Sequence, residues 1–212
     1  MDEAITFERN AKGVREMLSM KYDVLPFDGE WYDAFGTPER TGTWIVWGNS
    51  GTGKTTFAMK LAKYLCRFGR VAYDSLEEGA CLNIQKIMRQ EDMMDVNGKF
   101  LLLNKEPMDQ LSIRLKRRKA PDFVIVDSFQ YAQLNYKQYI ALKEKHENKL
   151  LIFISHAEGI SPEGRAAKRV MYDVALKVYC EGYRAISKGR FAGPVGHFEI
   201  WPEKSKMYHG EE

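Results

Sequence analysis

Eight consecutive residues, Gly48, Asn49, Ser50, Gly51, Thr52, Gly53, Lys54 and Thr55, define a chemistry by their types and spacing. GNSGTGKT fits the pattern GxxxxGK[ST], with Thr56 directly behind it. The glycines let the backbone wrap closely enough for its N–H groups to face phosphate oxygens, and the positive end of the following helix stands behind them. Lys54 supplies a mobile charge for β- and γ-phosphates, and the Thr55 hydroxyl suits Mg²⁺. The expected ligand is a nucleoside triphosphate, ATP with Mg²⁺.

Such a loop needs a second metal carboxylate at the tip of a buried strand, and FVIVD offers Asp127. Hydrolysis needs a group that orients or activates water. VAYDSLEE places Glu77 and Glu78 just past another strand, with Glu77 the first choice; alternatively both acids only charge the start of a helix. LLIFIS runs into His156, which on the same sheet edge either contacts a γ-phosphate or is a satisfied loop residue.

These side chains need a scaffold that brings strand ends together. TWIVW (Thr43 to Trp47), VAYDS (Val71 to Ser75), FLLL (Phe100 to Leu103), FVIV (Phe123 to Val126) and LLIFIS (Leu150 to Ser155) are short apolar β-rich runs. Helical segments over Thr55 to Phe68, Ala80 to Gln90, Met108 to Lys119 and Tyr136 to Asn148 alternate with them. That alternation predicts an α/β fold, a doubly wound and mostly parallel sheet with helices on both faces. Beyond Ser155, LKVYCEGYRAISKGR and HFEIW predict a C-terminal antiparallel extension on one edge. Residues 1–41 hold a short polar helix around Ala11 to Met20 and a Gly/Pro-punctuated aromatic stretch, an expected arm or lid ahead of an ATPase domain over 42–212.

Length and composition bound the reading. The 212 residues support one substantial core, and 44% hydrophobic with 29% charged residues is ordinary for a soluble protein. No apolar run approaches the ~20 residues of a membrane helix. The charged N-terminus lacks a secretory signal, so no membrane association and a cytoplasmic location are expected. Cys66, Cys81 and Cys180 have no zinc or redox spacing and suit a reducing compartment. A net charge of +3 neither supports nor excludes a nucleic-acid partner. Two local runs, RLKRRK (Arg114 to Lys119) and RAAKR (Arg165 to Arg169), concentrate positive charge; a solvated helix face is the plainer explanation of either.

Taken in order, GNSGTGKTT, VAYDSLEE, FVIVDSFQ, FISHAEG and SKGRFAG resemble the RecA-like ATPases, especially the branch of RadA recombination proteins and DnaB-type replicative helicases. The resemblance spans roughly Gly42 to Trp201. It implies that Glu77 is the catalytic glutamate, that Asp127 ends the aspartate strand, and that His156 couples γ-phosphate to a DNA-binding loop. SKGRFAG resembles the Lys-x-Arg element that reaches the ATP of a neighbouring subunit, which implies that Lys188 and Arg190 act in trans. A homo-oligomer follows, a hexameric ring or a filament. The resemblance also implies a mobile channel-facing loop at Glu158 to Val170, with Arg165, Lys168 and Arg169 available to single-stranded DNA.

Relative to that branch the sequence lacks a Cys-rich zinc ribbon, a protease-like domain and a separate helical N-terminal domain. Unwinding and strand exchange are therefore left open, as is a replication or recombination protein partner. Two other classes compete with a DNA-stimulated ATPase. One is an ATP-gated scaffold that assembles with a protein partner without DNA; the other is a small-molecule P-loop kinase, which no Arg-rich lid supports.

Overall fold

The computed structural model describes residues 11–210, so the first ten residues of the expected arm lie outside it. A nine-stranded sheet runs through the molecule. In chain order its strands are β1 (Gly42–Gly48), β2 (Val71–Ser75), β3 (Phe100–Asn104), β4 (Phe123–Asp127), β5 (Leu150–Glu158), β6 (Ser161–Pro162), β7 (Leu176–Glu181), β8 (Arg184–Ser187) and β9 (His197–Glu199). Spatially the order is β3-β2-β4-β5-β1-β7-β8-β9, with the short β6 paired antiparallel to the end of β5. The pairs from β3 through to β7 are parallel, and β7–β8 and β8–β9 are antiparallel, as the sequence predicts.

Alternation along the strands explains the two layers of helices. Strand β1 shows it directly: Trp44 and Val46 join one buried cluster, Ile45 and Trp47 the other. Helices α1 (Val14–Ser19) and α2 (Gly29–Phe35) precede β1, and α3 (Lys54–Leu65) and α4 (Leu82–Gln90) follow it. Phe57, Leu61 and Leu65 of α3 and Ile84 and Ile87 of α4 fill the first cluster. Helices α5 (Met108–Arg114), α6 (Phe129–Ala132), α7 (Tyr136–Lys145) and α8 (Arg165–Asp173) supply Leu111, Phe129, Leu142 and Val170 to the second. The last helix is α9 (Pro202–His209).

The segment ahead of β1 is folded into the first cluster, with Leu25, Phe27, Ala34 and Phe35 buried. Trp31 stacks on Tyr64 of α3 at 4.8 Å between ring centres and on Phe198 of β9 at 4.3 Å. Asp28 binds Arg67 through two 2.8 Å contacts and accepts from the Tyr64 hydroxyl at 2.8 Å. The guanidinium and hydroxyl hold the Asp28 carboxyl down at about 2. Offset aromatic stacks add about 0.5–1.5 kcal/mol each beyond area burial, so this segment is anchored at several points.

Two expectations are corrected. Residues 158–170 do not form an open loop: β5 runs on to Glu158, turns into β6, and α8 begins at Arg165. The Trp47 indole donates to the Ile160 carbonyl at 3.1 Å, and Ala167 and Val170, three apart on α8, are buried; helical spacing inside RAAKRV outweighs the Gly and Pro before it. The basic run RLKRRK is not a helix face either, because α5 ends at Arg114 and Leu115 is its C-cap. Among the described residues no helix is long and apolar enough to cross a membrane.

Candidate nucleotide site

The GNSGTGKT loop joins β1 to α3 at the C-terminal end of the parallel strands. Gly51 and Gly53 adopt φ of +78° and +92°, which L side chains rarely take. Gly48 is constrained differently: a Cβ there would stand 2.3 Å from the Cys180 carbonyl of the neighbouring β7. The N-cap Gly53 has no side chain to bond the leading N–H groups of α3, so they are free to face an anion. The Lys54 ammonium crosses the loop and donates to the Asn49 carbonyl at 2.8 Å, and the Thr52 hydroxyl donates to the same carbonyl at 2.9 Å.

A cavity of about 940 Å³ opens above the loop. Lys54, Thr55, Glu77, Asp127 and His156 all line it, although they come from four separate strands or their ends. Asp127 is drawn in by the register of β4 against β2, where it stands opposite Ser75. Its carbonyl accepts the backbone N–H groups of Leu76 at 2.7 Å and Glu77 at 3.1 Å, which fixes the turn carrying Glu77. The Tyr73 hydroxyl donates to the Asp127 carboxylate.

Glu77 and Glu78 separate into different roles. Glu77 Oε2 lies 2.8 Å from His156 Nε2, while His156 Nδ1 lies 3.3 Å from Glu163 Oε2. Glu78 instead accepts from the Asn83 amide at 2.9 Å and from the Cys81 thiol at 3.1 Å, at the start of α4. Gln130 ties the aspartate segment to the histidine strand: its amide donates to Ser155 Oγ at 2.9 Å and its carbonyl oxygen accepts the His156 N–H at 3.2 Å.

The electrostatics follow from burial. Asp127 is pushed up to about 6, chiefly by desolvation and further by Glu77 and Glu78, with the Tyr73 hydroxyl and Lys54 opposing. Desolvation pushes the Lys54 ammonium below its ordinary value, while Cys180, Asp127 and Glu77 pull the other way. Burial pushes the Cys180 thiol up to about 12, so beside Lys54 it stays neutral. A carboxylate kept at such cost invites a cation. Mg²⁺ commonly takes one or two protein oxygens and leaves the rest to phosphates and water. Thr55 and Asp127, both on the cavity wall, could fill those two positions.

The opposite wall comes from the antiparallel extension. Tyr183, Ile200, Trp201 and Lys204 line the same cavity, and a Cβ on Gly53 would meet Ile200 at 3.1 Å. The Lys204 ammonium sits 3.7 Å from the centre of the Trp201 ring and 5.1 Å from that of Tyr183. None of the four is foreseen from the sequence. The one available signal is the Trp-Pro pair that closes β9 and opens α9, where Pro202 occupies the first helical turn.

The remaining candidates lie outside the cavity. Lys188 and Arg190 occupy the turn between β8 and β9, where the Lys188 ammonium stands 5.6 Å from the Tyr179 ring centre. On α8, Lys168 pairs with Glu158 at 2.8 Å and Arg169 stands 5.7 Å over the Tyr136 ring; Arg165 opens the helix.

No protein-family model matches the sequence. The DNA repair protein RadA of Streptococcus pneumoniae is 33% identical over 87 residues, which is 41% of this chain and 20% of RadA. RadA of Streptococcus pyogenes is 33% identical over 86 residues, 41% of this chain and 18% of that protein. The match thus takes in about a fifth of these relatives. Among solved structures, the flagellar accessory protein FlaH of Methanocaldococcus jannaschii superposes with a TM-score of 0.57 at 15% identity, covering 85% of this chain and 92% of FlaH. The solved ATPase domain of a DnaB-like helicase gives 0.50 at 17% identity, covering 74% of this chain and 80% of that domain.

Proposed function

This chain carries a RecA-like P-loop core related to the RadA and DnaB-type ATPases, and from that premise we propose that it hydrolyses Mg-ATP as a homo-oligomer acting on, or stimulated by, single-stranded DNA. The observation that carries the reading is the convergence of Lys54, Thr55, Glu77, Asp127 and His156 on one cavity. Lys54 leaves the Asn49 carbonyl to neutralise phosphate oxygens. Mg²⁺ held by Thr55 and Asp127 supplies charge neutralisation on the phosphates when bound. Glu77 orients the attacking water and accepts its proton, and the 2.8 Å contact to His156 holds the carboxylate in place meanwhile. His156 therefore touches the water-activating group on one side and Glu163, beyond β6, on the other.

Across the cavity, Trp201 and Tyr183 offer aromatic surface to the base, with Lys204 beside them. Lys188 and Arg190, which lie off this cavity, are assigned to a neighbouring subunit's ATP. The test is turnover against assembly on size-separated fractions. Arg190→Ala is expected to keep ATP binding and lose turnover, and an Arg190→Ala chain with full activity would remove the trans role.

A second reading has its own support. Lys168 and Arg169 are already engaged by Glu158 and Tyr136, and FlaH, a flagellar accessory protein by its name, shares the fold. In that reading ATP gates assembly with a protein partner and DNA is not bound. Anisotropy of labelled oligo(dT) with and without ATP over a salt series decides: absence of binding at low salt sinks the DNA reading.

A further inference from the structure

At the other end of the same strands lies a basic cleft that nucleotide chemistry does not use. It is a cavity of about 430 Å³ where β2, β3 and β4 begin, and Arg70, Lys99, Arg114, Arg117, Arg118 and Lys119 line it. Strands of five residues at about 3.3 Å per residue put it roughly 15 Å from Glu77 and Asp127. Among the described residues no Asp or Glu lines it. Three of its cations have work inside the fold: Arg114 is paired with Glu106 at 2.6 Å, Arg70 donates to the Lys119 carbonyl at 2.8 Å, and Lys99 donates to the Cys66 carbonyl at 3.1 Å. Arg117, Arg118 and Lys119 are exposed, and among the described residues their side chains make no ion pair.

We propose that this cleft binds the phosphodiester backbone of a single-stranded nucleic acid, at a site separate from the nucleotide cavity and from α8. The proposal deepens the single-stranded DNA reading above by naming where the strand lies. Packing like charges together is unfavourable until an anion arrives, and no acidic side chain on the cleft wall offsets them. Four of the six cations are guanidiniums, whose planar forks match phosphate oxygens in pairs. The half-buried Phe100 and the exposed Leu101 lie on the same wall and give an unpaired base an apolar surface. Gly98, at φ +84° with nothing within 4 Å of a Cβ, leaves the rim open to a strand.

The test uses the full chain with Arg117→Ala/Arg118→Ala, which spares Lys119, whose φ of +64° and carbonyl hold the turn. Labelled oligo(dT) is titrated from low to high salt. Loss of two phosphate contacts is expected to flatten the log–log salt slope by roughly 1.4 and to weaken binding about tenfold at low salt. ATP binding and DNA-free turnover stay unchanged, so the result is independent of whether the ATPase reading holds. In the native chain, oligo(dT) is expected to protect Lys99 and Lys119 from acetylation, a readout that needs no variant. Native binding with an unchanged slope in the double variant, or without protection of either lysine, would overturn the cleft and spare the DNA reading. No native binding at low salt would overturn both.

Discussion

The two walls of the nucleotide cavity are built on different principles. The parallel-sheet wall holds charged groups whose positions are set by backbone: a glycine loop, a carbonyl of Asp127 bonded to two successive N–H groups, a Gln130 clasp on His156. The extension wall is aromatic and is set by side-chain packing, with Tyr183, Trp201 and Lys204 stacked edge and face around the opening. The difference separates chemistry from recognition. Changes on the first wall should alter turnover, and changes on the second should alter affinity.

The largest effect expected is from Lys54→Ala, a fall of about 10³-fold in ATP turnover with weakened nucleotide binding, measured by steady-state kinetics. Glu77→Gln should lower kcat by about 10²-fold or more while nucleotide binding is preserved. An equal loss in Glu78→Gln would erase the distinction between the two acids. On the recognition wall, Trp201→Ala should raise the ATP Kd about tenfold with kcat little changed, since a stacked base is worth about 1–3 kcal/mol. Tripolyphosphate, which has no base, should bind wild type and this variant equally well; a large difference would break the division of labour.

A pH profile sharpens the first wall. Asp127 must be ionised to hold a metal and titrates at about 6 in the folded chain, so kcat/KM should fall about fivefold between about pH 6 and 5. Stability runs the other way. Because the folded pKa lies above the ordinary carboxylate value of about 4, protonation of Asp127 favours the fold below about pH 4, and that contribution is lost as pH rises through about 6. Asp127→Asn should therefore raise the Tm of the nucleotide-free chain at about pH 7 while abolishing Mg²⁺-dependent activity. The smallest effect is Lys204→Ala, where loss of a cation–π contact of about 0.5–1 kcal/mol should shift ATP affinity by roughly two- to fivefold.

The same contrast explains what the sequence discloses. Lys54, Thr55 and Asp127 are legible because a phosphate-binding loop is contiguous and an apolar strand ending in Asp has few other uses. The parallel core and the antiparallel edge follow from short β-rich runs and their spacing. Trp201 and Tyr183 are not legible, because an aromatic at the end of an edge strand looks the same whether it faces core, solvent or ligand. The ordered α8 is hidden for a related reason: Gly159, Pro162 and Gly164 dominate the local pattern, while the burial that orders Ala167 and Val170 comes from distant residues.

The Trp31–Phe198 stack joins the two ends of the described chain, and the backbone agrees: Gly193 donates to the Ala34 carbonyl at 3.1 Å, and Val195 and Gly196 donate to that of Asp33 at 2.9 and 3.0 Å. During synthesis, α2 leaves the ribosome early and waits for β9, which leaves late. The base-facing wall depends on that late strand, so a nascent chain can present its phosphate loop well before it can tell one nucleotide base from another.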